Sequence, residues 1–303
     1  MRVLISGSSG LIGSALVSSL RVDGHDVRVL VRRPAQTATE VAWKPERGIN
    51  GSDDELRAAV SDSDAVVNLA GAGVAEKRWD SAYKAEIMSS RVNATTCLAT
   101  ALAQVDTPPE VFVSGSAGGY YGDTGPEAVD ESGPMGTTFL AQVAAAWEDA
   151  AAPAAQAGIR VTHPRTGTVA DPHGGAFGRL LPLLRAGAGG PLGSGRQWWS
   201  LISLRDEVAA LRHLIATQSI SGPVNFSAPQ QATNADLTKE LAKALHRPAV
   251  AAAPRFAVRA VLGEFAEELF LDQRMAPAKL LSTGFTFSDA TIASIVTGLV
   301  QGS

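Results

Sequence analysis

The feature that most constrains this chain stands at its N-terminus. Arg2-Val-Leu-Ile-Ser6 is a short apolar run, glycines follow at 7, 10 and 13, and a helix-compatible stretch runs from Leu11 to about Val22. An apolar run stopped by glycine reads as a buried parallel strand. Strand, glycine turn and helix in that order open a βαβ unit, which requires further parallel strands and crossover helices. Candidate strands follow at Val27 to Val31, Ala65 to Leu69, Val111 to Val113 and Ile159 to His163, with helix-compatible stretches between most of them. The expected fold class is α/β, built on a doubly wound parallel sheet.

Two intervening helices read as long and alanine-rich, about Trp79 to Gln104 and about Thr138 to Gln156. Such faces allow close helix packing and make a homodimer an expectation. The texture changes after His163, where Gly167 to Gly195 is crowded with glycine and proline around a helix near Phe177 to Arg185. This places the main domain over residues 1–165, rejoined by 198–222. Residues 166–197 and 223–303 then form a smaller second region, with helical patterns at Asp236 to Leu245, Arg255 to Leu271 and Ala290 to Leu299.

Composition closes off other classes. With 26 Lys+Arg against 30 Asp+Glu in 303 residues the net charge is −4, which argues against nucleic acid as a partner. The single cysteine, Cys97, cannot form an internal disulfide, and the five histidines show no metal-ligand spacing, so no metal is expected. No stretch approaches about 18 uninterrupted apolar residues, and Met1 leads directly into the polar glycine loop. The expectation is a cytoplasmic protein without a membrane partner.

The loop Ser6-Gly-Ser-Ser-Gly-Leu-Ile-Gly13 carries a specific chemistry. Gly7 and Gly10 let the backbone turn tightly and approach a pyrophosphate, and Gly13 lets the helix lie close to the sheet. The free N–H groups and positive dipole end of the helix suit phosphate. About 20 residues past Gly13 a dinucleotide-binding unit normally places an acid that holds the ribose hydroxyls. Here Arg32-Arg33 stands instead. Two guanidiniums favour a 2′-phosphate, so NADP(H) is preferred to NAD(H) as cofactor.

Taken with Asp64-Ala-Val-Val-Asn-Leu-Ala-Gly71 and Ser114-Gly-Ser-Ala-Gly-Gly-Tyr-Tyr-Gly122, the chain resembles an extended short-chain dehydrogenase/reductase. Arg91-Val, Arg165-Thr-Gly-Thr-Val, Gly193-Ser-Gly-Arg-Gln-Trp198 and Leu262-Gly-Glu with Asp272-Gln-Arg-Met-Ala-Pro277 resemble its nucleoside-diphosphate-sugar epimerase-like branch, often labelled cell-division-inhibitor-like. The resemblance implies a Rossmann-type NADP-binding domain plus a small C-terminal substrate domain. Residue by residue, it implies cofactor contacts at Gly7, Ser9, Gly10, Leu11, Ile12, Gly13, Arg32, Arg33, Asn68, Leu69, Ala70, Gly71, Arg91 and Arg165. It puts Ser116 at the catalytic serine and Tyr121-Gly122 at the family's tyrosine-glycine pair.

The family's Tyr-x-x-x-Lys pair is absent. The three tyrosines, Tyr83, Tyr120 and Tyr121, are followed four residues on by Ile87, Thr124 and Gly125, and alignment sets Phe139 and Val143 at the pair's positions. Three explanations stand open: another acid/base, with Tyr120 or Tyr121 beside Ser116; hydride transfer with a proton from water or substrate; or a catalytically silent NADP(H)-binding sensor or scaffold. Ser116 would polarise the reacting oxygen in the first. Arg196, Gln197 and Trp198 form a second candidate site that suits a polar small-molecule substrate, a nucleotide sugar among them, with only one of the adjacent tryptophans facing it. The leading expectation is an NADP(H)-dependent oxidoreductase or epimerase-like enzyme.

Overall fold

The computed structural model describes residues 1–47, 54–187, 189–249 and 251–302. The first βαβ unit consists of β1 (Arg2–Ser6), α1 (Leu11–Val22) and β2 (Asp26–Val31), followed by β3 (Glu40–Ala42), α2 (Asp54–Ser61), β4 (Ala65–Asn68) and α3 (Ser81–Gln104). Next come β5 (Val111–Ser114), the two-residue β6 (Ser116–Ala117), α4 (Phe139–Asp149), α5 (Ala152–Gln156) and β7 (Arg160–Thr166). The C-terminal half contains β8 (Thr168–Ala170), α6 (Gly175–Arg185), β9 (Trp198–Trp199), β10 (Leu201–Ser203), α7 (Leu204–Ala216) and β11 (Gly222–Phe226). It ends in β12 (Ala232–Thr233), α8 (Asn234–Leu245), α9 (Arg255–Leu262), α10 (Ala278–Ser282) and α11 (Ile292–Gln301).

The main sheet runs β11-β7-β5-β4-β1-β2-β3, parallel at every pair, with β6 added on β7. This is the doubly wound arrangement read from the sequence. Order reverses at β1, which has β2 on one side and β4 on the other, so the connections above their C-terminal ends diverge and leave a crevice. One face of the sheet packs Val3, Ile5 and Val113 against Leu16 of α1 and Leu211 of α7. The other packs Leu4, Val66 and Phe112 against Leu56 of α2 and Leu98 of α3. A separate core beyond the sheet joins α6, α8 and α11 through Phe177, Leu181, Leu241 and Ile295.

Several boundaries differ from the sequence reading. The helix expected over Thr138 to Gln156 is two, α4 and α5, with Pro153 opening the second where its missing N–H costs nothing. The stretch after Trp198 rejoins the main domain only through α7, since β9 pairs with β12 and β10 with β8. The sheet itself is regained at Gly222–Phe226, so a boundary at 223 cuts an edge strand. Pro223 is accommodated there because an edge strand has one unpaired side. The helix expected to reach Leu271 ends at Leu262, where Gly263 turns the chain at φ +66° into a 3₁₀ segment, Gly263–Phe270.

Candidate active site

The crevice is a cleft of about 480 Å³ running from the glycine loop, past Ser116, to Trp199 and the 3₁₀ segment. At its first end Gly7 adopts φ +74°, and a side chain there would meet the Leu69 carbonyl at 2.5 Å. At Gly13 a Cβ would lie 2.2 Å from the Gly7 carbonyl, so the helix closes on the loop only because both residues are bare. Gly10 caps α1 without a side chain, and no acid occupies the first turn. The leading amides of α1 therefore face the cleft as free donors at a positive dipole end, which fits a diphosphate. Leu11, Ile12 and Leu69 line this end, while Ser9 is exposed on the turn.

Asn68 does not reach the cleft. It is fully buried, accepting from the Ser6 hydroxyl at 2.5 Å and the Ala70 N–H at 3.2 Å and donating to Thr95 at 2.8 Å. Its role is to tie the β1 and β4 turns together. The basic pair at the end of β2 divides. Arg33 forms a two-pronged pair with Glu40 at 2.9 and 2.6 Å, and its guanidinium holds the Glu40 carboxyl down at about 2. Arg32 is exposed and has no hydrogen bond or ion pair among the described residues, so it alone is the ready cation. Arg91 lines the cleft near Gly71, donates to the carbonyls of Ala72 and Ile87, and lies 5.1 Å from the Trp147 ring. Burial lowers its guanidinium to about 10.

At the far end the sequence reading needs correction. Ser116 lines the cleft, but its hydroxyl is 2.6 Å from Glu148, which Arg165 grips through both carboxylate oxygens at 2.8 Å. A carboxylate so paired only accepts, so Ser116 is the donor and offers the cleft lone pairs. It cannot polarise a carbonyl in that state. Arg165, expected at the cofactor, has a side chain only 4% exposed that belongs to the structure under the cleft floor. Glu148 is its partner. Tyr121 is buried, hydrogen-bonded to Asn225 at 2.7 Å and Arg165 at 2.9 Å, and burial pushes its hydroxyl up to about 12. Tyr120 lies with its ring 3.4 Å from the Arg165 guanidinium carbon. Neither tyrosine is among the residues that line the cleft, so the structure does not bring the expected proton relay to its wall.

The helical wall is Leu140, Val143, Ala144 and Trp147 of α4. Phe139 turns away onto Trp79, at 5.1 Å between ring centres, so of the two positions aligned with the missing pair only Val143 faces the cleft. None of these side chains moves a proton. The substrate-site triplet is also displaced. Gln197 is buried with its amide on the carbonyls of Leu192 and Leu269, Arg196 is exposed, and Trp198 packs 4.0 Å from Arg274. It is Trp199 that faces the cleft, as strand alternation requires of one of the two. Phe265, Glu268, Leu269, Leu271 and Gln273 complete this end, and the sequence reading had assigned none of them.

A switch-point cleft with a glycine loop at one end, and a serine on the strand facing α4 at the other, defines the extended short-chain dehydrogenase/reductases. Residues 3–248 match the NAD dependent epimerase/dehydratase family, and the chain belongs to it; residues 253–297 match a domain of unknown function, DUF1731. The chain is 46% identical over 291 residues to epimerase family protein Mb2239 of Mycobacterium bovis, covering 96% of this chain and 94% of that protein. It superposes on the crystal structure of human epimerase family protein SDR39U1 (isoform 2) with NADPH at a TM-score of 0.91 and 32% identity, covering all of both chains. The nucleoside-diphosphate sugar epimerase from Corynebacterium glutamicum follows at 0.78 and 34%, covering 99% of this chain and 58% of that one. Among the described residues no helix is long and apolar enough to cross a membrane, and no cluster of His, Cys, Asp or Glu is suited to a metal ion.

Proposed function

We propose that this chain binds NADP(H), phosphates at the N-terminus of α1 and 2′-phosphate at Arg32, and transfers hydride between it and a small carbonyl or carbinol compound held against Trp199. The observation that carries the reading is the continuity of one cleft from the glycine loop to Ser116 and the aromatic wall. The NADPH in the human relative's structure supports the choice of cofactor. The bound cofactor supplies or accepts the hydride. The chain's own contribution is to hold the reactants together between α4 and the 3₁₀ segment and to exclude water with Leu140, Val143, Trp199 and Phe265. Those walls suit an apolar body with one or two polar atoms. The residues that recommended a nucleotide-linked sugar lie outside the cleft.

A second reading, a silent NADP(H)-binding protein, is favoured by Phe139 and Val143 at the positions of the family's proton-handling pair and by the apolar wall that α4 presents to the cleft. Calorimetric titration with NADPH and NADH, followed by NADPH oxidation against a panel of aldehydes, ketones and quinones, separates the two. Micromolar NADPH binding with turnover of any member supports the enzyme. Binding with no turnover across the panel leaves the silent reading, and absence of binding defeats both.

A further inference from the structure

The cleft contains one side chain that can carry a proton and is not already committed to the structure beneath it. Glu268, on the Gly263–Phe270 segment, lines the same cleft as Ser116. Its carboxyl lies close enough to the Thr138 side chain and the Leu140 N–H for both to favour its charged form, which sets it against the first turn of α4, at the residue that begins the apolar wall. Its Oε2 is buried and has no hydrogen-bond partner among the described residues. Such an atom costs free energy as an ionised oxygen and much less as a protonated one.

We propose that Glu268 is the proton donor and acceptor of this site, delivered by the C-terminal domain in place of the missing Tyr-x-x-x-Lys pair; the proposal rests on the hydride-transfer reading above. As hydride adds to the carbonyl carbon, the π pair moves onto oxygen, which takes the carboxyl proton. An alcohol and the Glu268 carboxylate result, and the reduced dinucleotide that gave the hydride is oxidised. In reverse the carboxylate takes the carbinol proton.

The surroundings support a carboxyl poised between states. Burial raises its pKa above the ordinary carboxyl value, Glu264 pushes the same way, and Thr138, Leu140 and Lys84 of α3 oppose them. Lys84 is itself spoken for, 2.6 Å from Glu264 and 4.7 Å from the Phe139 ring centre. Glu207 is also raised, but it lies fully buried in α7 behind Thr166 and does not open to the cleft.

The test needs no substrate. NADP⁺ brings a positively charged ring to this end of the cleft, whereas NADPH brings a neutral one. A carboxyl there gives up part of its proton when NADP⁺ binds. Calorimetry between pH 5 and 7, in two buffers of different ionisation enthalpy, is expected to read a fraction of a proton released per NADP⁺ and less per NADPH. Glu268→Gln, which keeps the side chain's size and shape, is expected to lose the difference, and Glu268→Asp and Glu264→Gln to retain it. Equal proton release in the wild type and Glu268→Gln with normal NADP⁺ affinity overturns the proposal and leaves the cofactor reading standing. Absence of nucleotide binding in the wild type removes both. Should Glu268→Gln fail to fold, the Glu268→Asp and Glu264→Gln pair decides: loss of the release in Glu264→Gln alone overturns the assignment.

Discussion

The two ends of the cleft are built in opposite ways. The phosphate end comes from a single short stretch, Ser6 to Gly13, in which backbone conformation and missing side chains do the work. The far end is assembled from β6, α4, β7, β9 and the 3₁₀ segment, residues more than 150 positions apart in the chain. A site made of backbone tolerates no added atom. A site made of side chains on a rigid floor permits exchange of its chemistry while the fold is kept.

The strongest challenge to this contrast is Gly13→Val. A Cβ at Gly13 already overlaps the Gly7 carbonyl at 2.2 Å, so the loop must open. Loss of NADPH binding by at least about 100-fold is expected, with a stability cost of about 1–3 kcal/mol from overpacking. Calorimetry and thermal melting read both. Affinity within tenfold of wild type would show that the glycine at 13 is not what closes the phosphate end.

Arg165→Met probes the floor at the opposite end. It strips Glu148 of its cation and Tyr121 of a partner in a region that is 4% and 13% exposed at the two ion-pair side chains. Removing one member of a buried pair costs about 3–5 kcal/mol, whereas the double change with Glu148→Leu is expected to recover much of it. Equilibrium denaturation with urea measures the cycle. A single-variant loss below about 1 kcal/mol would mean that the network does not brace the cleft.

The uneven legibility of the sequence follows from the same contrast. The parallel sheet and glycine loop are readable because apolar runs and bare glycines act through neighbours in sequence. Arg165, Tyr121 and Asn225 carry no such signal: their meaning depends on β7, β11 and the 118–121 turn meeting in space. Adjacent tryptophans announced that one would face the cleft, but the choice of Trp199 over Trp198 depends on strand register. Glu268 was hidden in a stretch read as continuous helix. The signal that could have exposed it is Gly263, which breaks that helix just before the acidic pair Glu267-Glu268.

Glu207 offers a pH-dependent test of the far end. Burial pushes its carboxyl up to about 8, while an unfolded glutamate titrates near 4.3. Below that lower value both states hold the proton and the residue contributes no pH dependence. As pH rises from about 4.3 toward 8 the unfolded chain releases its proton and the folded chain keeps it, so stability is lost across that window. Glu207→Gln, which can still accept from Thr166, is expected to flatten the loss, with its advantage growing to the order of a few kcal/mol by pH 8. Parallel urea curves for the two proteins from pH 5 to 8 would refute this.

The smallest effects belong to the ribose end, and they separate two arginines that the sequence presents as equals. Arg32 has no partner among the described residues, so Arg32→Ala removes a cation whose only evident task is the 2′-phosphate. A weakening of about 10-fold for NADPH and little change for NADH is expected, the scale of one exposed charge-assisted bond. Arg33 must first give up Glu40, whose carboxylate also accepts the Gln36 N–H at 2.7 Å, so Arg33→Ala is expected to cost less. Glu40→Gln turns the argument around. It removes the negative charge that engages Arg33, so NADPH affinity should rise by about two- to threefold at low salt and the gain should fade as ionic strength increases. If Arg33→Ala instead costs as much as Arg32→Ala, the ion pair with Glu40 opens freely and both guanidiniums serve the phosphate.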